Sequence, residues 1–364
     1  MTGPRQRATI YDLAKAAKTS SSTVSLVMSG RWQDYRIRPE TAERVLAAAG
    51  RLGYTANLKA RSLRLKRSGL AGMIVPHYRN RFFAGLTEHF EIEARRRGLC
   101  PIVVSTQRDP ATELSSVASL VAHEVEFLFV AGVRDPRAAN RLCREASIPS
   151  INIDLPGTEA PSAISDNRAA AEEMTRELIA KLPGRSDFDF LFFGGDALDN
   201  STIERMEGVR RAFAGAGLPV RDDAFNYCGY RPPEIAEALK AEFARRDGRM
   251  PDAIFANGIT ALEGLFLAVP GVGLGELSHK AIACYDWDPF AGNLPMNIIF
   301  ARQDVEGLIA AGFRLLEIGT GNSGFGQIAL YEKCGLRIVG IDPDYFTRFY
   351  PVPITENGIQ LRHM

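Results

Sequence analysis

The sequence predicts an α/β protein in two unequal parts, a small three-helix head followed by two doubly wound parallel-sheet lobes. Three observations carry that expectation. Residues 9–30, TIYDLAKAAKTSSSTVSLVMSG, read as two short helices meeting at a tight turn, a helix-turn-helix. From Leu70 the pattern changes to short apolar runs alternating with amphipathic stretches, as the strands and crossover helices of a parallel sheet do. Charge divides at the same place: residues 1–67 hold 14 Lys and Arg against 4 Asp and Glu, while the rest of the chain holds 30 against 39.

In the first helix Ile10, Leu13, Ala14 and Ala17 share one face at the i, i+3, i+4, i+7 spacing of a buried stripe. Lys18 and Thr19 form the turn. Ser20 is suited to cap the second helix, because its hydroxyl can accept an orphan backbone N–H two or three residues on, and Val24, Val27 and Met28 continue the apolar face. Ser21, Ser22, Ser25 and Leu26 then face outward. A second helix of this kind can lie in a DNA major groove with its first residues at base edges, and serines there specify weakly beside a bidentate Arg or Gln. The alternative for this stretch alone is a helical hairpin inside an ordinary core. Residues 38–51, RPETAERVLAAAGR, add a third amphipathic helix, with Pro39 in its first turn and Val45, Leu46, Ala49 and Leu52 expected to face inward. Behind it, NLKARSLRLKR (57–67) interleaves Lys59, Arg61, Arg64, Lys66 and Arg67 with Ala60, Leu63 and Leu65.

The order IYDLAKAA, SSSTVS, RPETAERVLAAAGRLGYTAN and then a short basic segment resembles the head and hinge of the LacI/GalR family of bacterial transcriptional repressors. The resemblance implies a hinge that becomes a helix on operator DNA, with Leu63 as a wedge in the minor groove that kinks the duplex. It also implies DNA contacts from Tyr11, Ser20, Ser21, Ser22, Ser25 and Leu26 in the head, and from Asn57, Ala60 and Leu63 in the hinge. Lys18, Thr19 and Leu26 depart from the family's usual Gly, Val and Arg, which bears on the operator sequence. The long loop RWQDYRIR (31–38) resembles the branch containing the fructose repressor, also called the catabolite repressor-activator.

Strands are expected at 70–75 (LAGMIV), 101–105 (PIVVS), 126–131 (EFLFVA) and 149–154 (PSINID), separated by helices at 81–97, 111–122 and 135–146. A second set follows at 189–193, 252–256 and 280–284, with helices near 167–181, 200–216, 232–246 and 258–268. The run MNIIFA (296–301) and a helix over 304–316 are expected to return toward the first set, with the lobe crossings near 155–161 and 290–295, where Pro and Gly cluster. Ligands of such a fold bind where strand ends of the two lobes converge.

By resemblance, residues 70–316 form the periplasmic-binding-protein-like type I core of the same family. Arg205 in ERMEGVRRAF, Asn257 in FANG and Asp286 in CYDWD match effector positions of that family, and Asp154 and Asp166 are weaker matches. An Arg fork can clamp vicinal hydroxyls or a carboxylate, and Asn and Asp can bind sugar hydroxyls. Tyr78 and Phe82, in VPHYRNRFF, sit in the loop that lines the opposite wall in the family. A helical Arg is also commonly a solvated charge, and Asp166 stands equally well as a helix N-cap. The fructose-repressor likeness implies a phosphorylated sugar, with Arg79 or Arg81 placed to meet its phosphate.

After Leu316 this resemblance stops. Residues 317–364 resemble instead the C-terminal end of a GNAT acetyltransferase, through Asn322, Ala329, Leu330, Tyr331, Lys333, Gly335 and Leu336. That family holds the pyrophosphate of coenzyme A on a Q/R-x-x-G-x-G/A loop ahead of a helix, and no such loop precedes this tail. The tail therefore reads as an appended fragment with Tyr331 a packed aromatic.

The chain divides into a head (1–56), a hinge (57–69), an effector-binding and dimerisation core (70–316) and the atypical tail (317–364). With 46% hydrophobic residues and no apolar run long enough to span a bilayer, a soluble chain is expected; its start lacks a signal-peptide segment, which points to the cytoplasm. The odd, scattered Cys100, Cys143, Cys228, Cys284 and Cys334 read as reduced buried thiols, without a metal or other cofactor. Together these readings predict a non-enzymatic, dimeric or tetrameric transcriptional regulator, most simply a repressor of a near-palindromic double-stranded operator controlled by a sugar or sugar phosphate. Two competing readings remain: a solute-binding module with a vestigial head, and an acetyltransferase fusion using the tail.

Overall fold

The computed structural model describes residues 8–54, 67–182, 184, 188–269, 274–319, 354–356 and 359–361. Asn57, Ala60 and Leu63 of the expected hinge, the acetyltransferase-like motif expected at 322–336 and Cys334 lie outside the described residues.

The head consists of α1 (Ile10–Ala16), α2 (Ser21–Met28) and α3 (Pro39–Leu52). Thr9 and Asp12 form a capping box at the start of α1, and Pro39 occupies the first turn of α3. Leu13, Ala14, Ala17, Val24 and Val27 meet Ala42, Val45, Ala48 and Ala49 in a single small core. Two residues of the expected inward face are not there: Leu46 and Leu52 are exposed. The helices α1 and α2 have only 7 and 8 residues, so they cover a narrow stripe of α3, and alanines fill it. Lys18 carries the turn at φ +50°, a left-handed conformation that glycine adopts without strain.

Lobe 1 is a five-stranded sheet in the order β2-β1-β3-β4-β5, all parallel: β1 (Leu70–Val75), β2 (Cys100–Ser105), β3 (Leu128–Ala131), β4 (Ser150–Ile153) and β5 (Ser162–Ala163). Its helices are α4 (Arg81–Arg96), α5 (Pro110–Ala122) and α6 (Arg137–Glu145). Lobe 2 contains α7 (Asn167–Ala180), β6 (Phe190–Phe193), α8 (Asn200–Gly215), β7 (Phe225–Asn226), α9 (Pro232–Arg245), β8 (Ala253–Ala256), α10 (Ile259–Ala268), α11 (Leu274–Ser278), β9 (Ala281–Tyr285) and β10 (Ile298–Ala301). Its parallel sheet runs β10-β9-β8-β6-β7. Central strands of both sheets are buried throughout, which is why they read as continuous apolar runs.

Three expectations are corrected here. The strand at 298–301 does not return to the first set; it pairs with β9 at the edge of the lobe 2 sheet. Only the helix after it, α12 (Val305–Gly319), crosses back, with Phe313 packed 4.9 Å from Phe129 and 6.0 Å from Phe90 in the lobe 1 core. The chain therefore crosses between Ala163 and Asn167 and between Ala301 and Val305, whereas segments 155–161 and 290–295 each join two strands of one sheet. Pro and Gly there mark loops between strands, so they gave the wrong location. Cys100 is exposed at the head of edge strand β2, unlike the buried Cys143 and Cys284.

Beyond α12, β11 (Ile354–Glu356) and β12 (Ile359–Leu361) form an antiparallel pair. Among the described residues, no helix is long and apolar enough to cross a membrane.

Candidate functional site

Two sites emerge. In the head, the Ser20 hydroxyl accepts Thr23 N–H at 3.1 Å and lies 2.9 Å from the Thr23 hydroxyl, so it is occupied in capping α2. Ser22 is exposed, Ser21, Ser25 and Leu26 are half-buried, and Tyr11 is 75% exposed on α1. The expected outward face of α2 is thus narrower than expected: Leu26 is shared between surface and core.

The second site is the cleft between the lobes, which encloses about 440 Å³ of non-atom space including its open mouth, with walls built from loops at the C-terminal ends of the parallel strands. Lobe 1 contributes Asn80, Phe82, Phe83, Arg108 and Asp154. Lobe 2 contributes Ser201, Arg205, Tyr230, Asn257, Thr260 and Asp286, and Gln303 enters from the second crossing.

Arg205 is the centre of the lobe 2 wall. It is 5% exposed, lies 3.5 Å over the Tyr285 ring, and donates from Nε to Asn167 Oδ1 at 2.8 Å and from Nη1 to the Asn257 carbonyl at 2.6 Å. Asn257 is fixed in turn by donating to Thr202 Oγ1 at 3.0 Å. Gly195, at φ +78°, lets the backbone approach this pair, since a Cβ there would clash with Asn257 Nδ2 and Thr202 Oγ1. Asp286 accepts from Gln303 Nε2 at 2.7 Å, and Gln303 Oε1 accepts from the Ser165 hydroxyl at 2.6 Å. The two crossing segments are therefore bonded to each other and to a cleft carboxylate.

Burial pushes the Asp154 carboxyl up to about 6 against the opposing pull of Arg205, and burial likewise raises Asp286 while Arg205 and Gln303 lower it. Both aspartates are held at positive φ, +75° and +69°, where Asp is tolerated better than most side chains.

Of the seven effector residues expected from sequence, the structure brings Phe82, Asp154, Arg205, Asn257 and Asp286 to one cleft. Tyr78 is half-exposed away from it, its hydroxyl donating to the Val103 carbonyl at 2.9 Å. Asp166 caps α7 by accepting Ala169 N–H at 3.0 Å. Arg81 pairs with Asp288 across the lobes, and Arg79 is exposed; neither lines the cleft.

The sequence reading missed Arg108, Tyr230, Gln303 and the carboxylate behind them, Asp199. Asp199 is fully buried and accepts from Arg134 Nε at 2.7 Å, from Arg108 Nη1 at 3.2 Å and from the Tyr230 hydroxyl. Arg108 and Gln303 each stand just past an apolar strand run, in STQRD and FARQD, so the strand-end rule applied to every strand would have found both.

Residues 9–57 match the family described as bacterial regulatory proteins, lacI family, and residues 68–277 match the periplasmic binding proteins and sugar binding domain of the LacI family. The ribitol operon repressor of Klebsiella aerogenes is 40% identical over 243 residues, 66% of this chain and 90% of that protein. The sucrose operon repressor of Klebsiella pneumoniae is 31% identical over 301 residues, 82% of this chain and 88% of that protein. Among solved structures, the Lac repressor bound to ONPG superposes with a TM-score of 0.71 at 20% identity, covering 87% of this chain and 95% of that one, a likeness of fold.

Proposed function

Because the chain belongs to the LacI family of bacterial regulatory proteins, we propose that it is a transcriptional repressor whose cleft takes a sugar or sugar phosphate and whose paired heads hold a near-palindromic operator. The observation that carries this reading is the combination in one chain of a capped, serine-faced second helix with an interlobe cleft around Arg205. An effector that contacts both walls favours one lobe arrangement over another by its differential affinity, and the hinges transmit that preference to the heads.

On this reading the head is 1–56, the hinge 57–69 and the core 70–316. Ser21, Ser22 and Ser25, with Tyr11 on the first helix, meet DNA, and Asn57, Ala60 and Leu63 act in the hinge. Arg205, Asn257, Asp286, Asp154 and Phe82 hold the effector. The chain acts as a homodimer or tetramer in the cytoplasm and is not an enzyme. The likeness of loop 31–38 to the fructose-repressor branch keeps a phosphorylated sugar among the effectors, and the tail from 317 is an appended fragment.

Selection of randomised duplexes on the full chain near physiological salt, where nonspecific phosphate binding is weakened, tests the proposal. Enrichment of a two-fold symmetric site is expected, followed by its release or tightening by a sugar or its phosphate. Absence of any enriched site, with and without such compounds, would remove the repressor reading.

A further inference from the structure

The basic run 57–67 ends on Arg67, the one member of the run among the described residues. Its guanidinium turns to lobe 1: Nε donates to Glu126 Oε2 at 2.9 Å, and Nη2 donates to the same oxygen. The other carboxylate oxygen, Oε1, accepts the Gly69 N–H at 3.0 Å. Glu126 is itself fixed by the sheet. It stands just ahead of β3, and its own N–H donates to the Leu70 carbonyl at 2.8 Å, where β1 begins. Gly69 is fixed from the other side, its carbonyl accepting the N–H of Cys100 in β2 at 2.8 Å. The carboxylate is therefore held on a frame of three strands with both oxygens engaged; its side chain is 15% exposed, against 68% for Arg67. An ion pair with one partner this exposed contributes little to folding. What it changes is the charge that the run can offer to a phosphate.

We propose that Glu126 is a positioning residue for DNA binding: it holds Arg67 against lobe 1, withdraws that guanidinium from the phosphates, and leaves Lys59, Arg61, Arg64 and Lys66 as the cations of 57–67 that meet DNA. The proposal rests on reading the chain as an operator-binding repressor and goes beyond it in dividing one basic run into a DNA-facing part and an anchored end. The physical argument is one of competition. A phosphate must take Arg67 from an acceptor that the sheet and the Gly69 N–H already hold in place. The exchange would also leave the Glu126 carboxylate without its counter-charge at the end of lobe 1 where the head is joined, facing a polyanion. Each side-chain cation that neutralises a phosphate releases condensed counterions, so the number engaged is read from the salt dependence of binding. Glu126→Gln separates charge from frame, because its amide oxygen can still accept the Gly69 N–H while the attraction for Arg67 is lost.

The test is binding of the full-length chain to a duplex enriched by selection, followed by fluorescence anisotropy between about 50 and about 200 mM salt. Each phosphate contact adds about 0.9 to the slope of log K against log salt, so one contact per chain is about 1.8 for a bound pair and about a tenfold change in affinity across that range. Arg67→Gln is expected to keep the wild-type slope. Glu126→Gln is expected to steepen it by about 1.8, and the gain is expected to vanish when Arg67→Gln is added. A purely structural role for Glu126 would lower affinity or stability without steepening the slope. A shallower slope in Arg67→Gln, or an unchanged one in a folded Glu126→Gln, overturns the proposal and leaves the repressor reading standing. Should Glu126→Gln unfold, Arg67→Gln decides alone, since the Arg67 side chain is exposed. If no duplex is enriched, the repressor reading fails and this assignment with it.

Discussion

Replacing Asp154 by Asn should stabilise the effector-free protein while weakening its response to effector. Asp154 is buried on the cleft wall, and its carboxyl is raised from 3.8 to about 6, chiefly by burial. A shift of about two units at 1.36 kcal/mol per unit amounts to roughly 3 kcal/mol. The sign follows from proton binding. The folded carboxyl holds its proton to higher pH than the unfolded one, so between about pH 4 and about pH 6 the native state binds more protons and stability falls as pH rises. Above that window the ionised, buried carboxylate is a full penalty, and Asn removes it. The backbone adds little opposing cost, because Asn also adopts the φ of +75° found here. Urea denaturation of wild type and variant from about pH 4 to about pH 8 would read this directly: the variant should gain about 3 kcal/mol at the upper end and nothing at the lower. A gain that is absent, or independent of pH, would refute the reasoning. In the same variant effector affinity should drop at least tenfold, since a site group that destabilises the fold is retained for what it binds.

Arg205→Lys keeps the charge but loses the planar stack over Tyr285 and the fork that reaches Asn167 and the Asn257 carbonyl; effector affinity should fall ten- to a hundredfold by calorimetry, with operator binding retained. Leu13→Ala opens a cavity in the small core of the head, where Leu13 is fully buried; a loss of about 2–5 kcal/mol would unfold the head, seen as lost operator binding with the thermal transition of the two lobes unmoved. Gly195→Ala forces a Cβ onto Asn257 and Thr202 at a φ of +78°, so it should lower both core stability and effector affinity, measured by thermal unfolding and titration.

Legibility of the site followed the kind of interaction each residue makes. Arg205, Asn257 and Asp286 were named through the family resemblance; Asn257 and Asp286 also stand directly past the apolar runs of β8 and β9, where a parallel sheet exposes its ligand-binding loops, whereas Arg205 lies within helix α8 and no strand-end rule reaches it. Asp199 was not, because DALDN looks like an ordinary helix start; its partners Arg108 and Arg134 come from 91 and 65 positions away, and no local pattern encodes that meeting. Asp166 fits the ligand wall and a helix N-cap equally well in sequence, and its bond from Ala169 N–H makes it the cap; Tyr78 was set on the ligand wall by the resemblance, and its hydroxyl instead donates to the Val103 carbonyl.

The sequence alone determined the division into head and two α/β lobes, since hydrophobic period, capping residues and buried-strand runs are local properties that survive without tertiary context. The tertiary structure decided where the chain changes lobes. The strand at 298–301 is apolar enough for either sheet, and it goes to lobe 2 because the edge of β9 is open to it; α12 alone carries Phe313 back to Phe90 and Phe129. It also decided the charge state of the cleft, because whether an arginine is free for a ligand depends on which distant carboxylate folding brings against it.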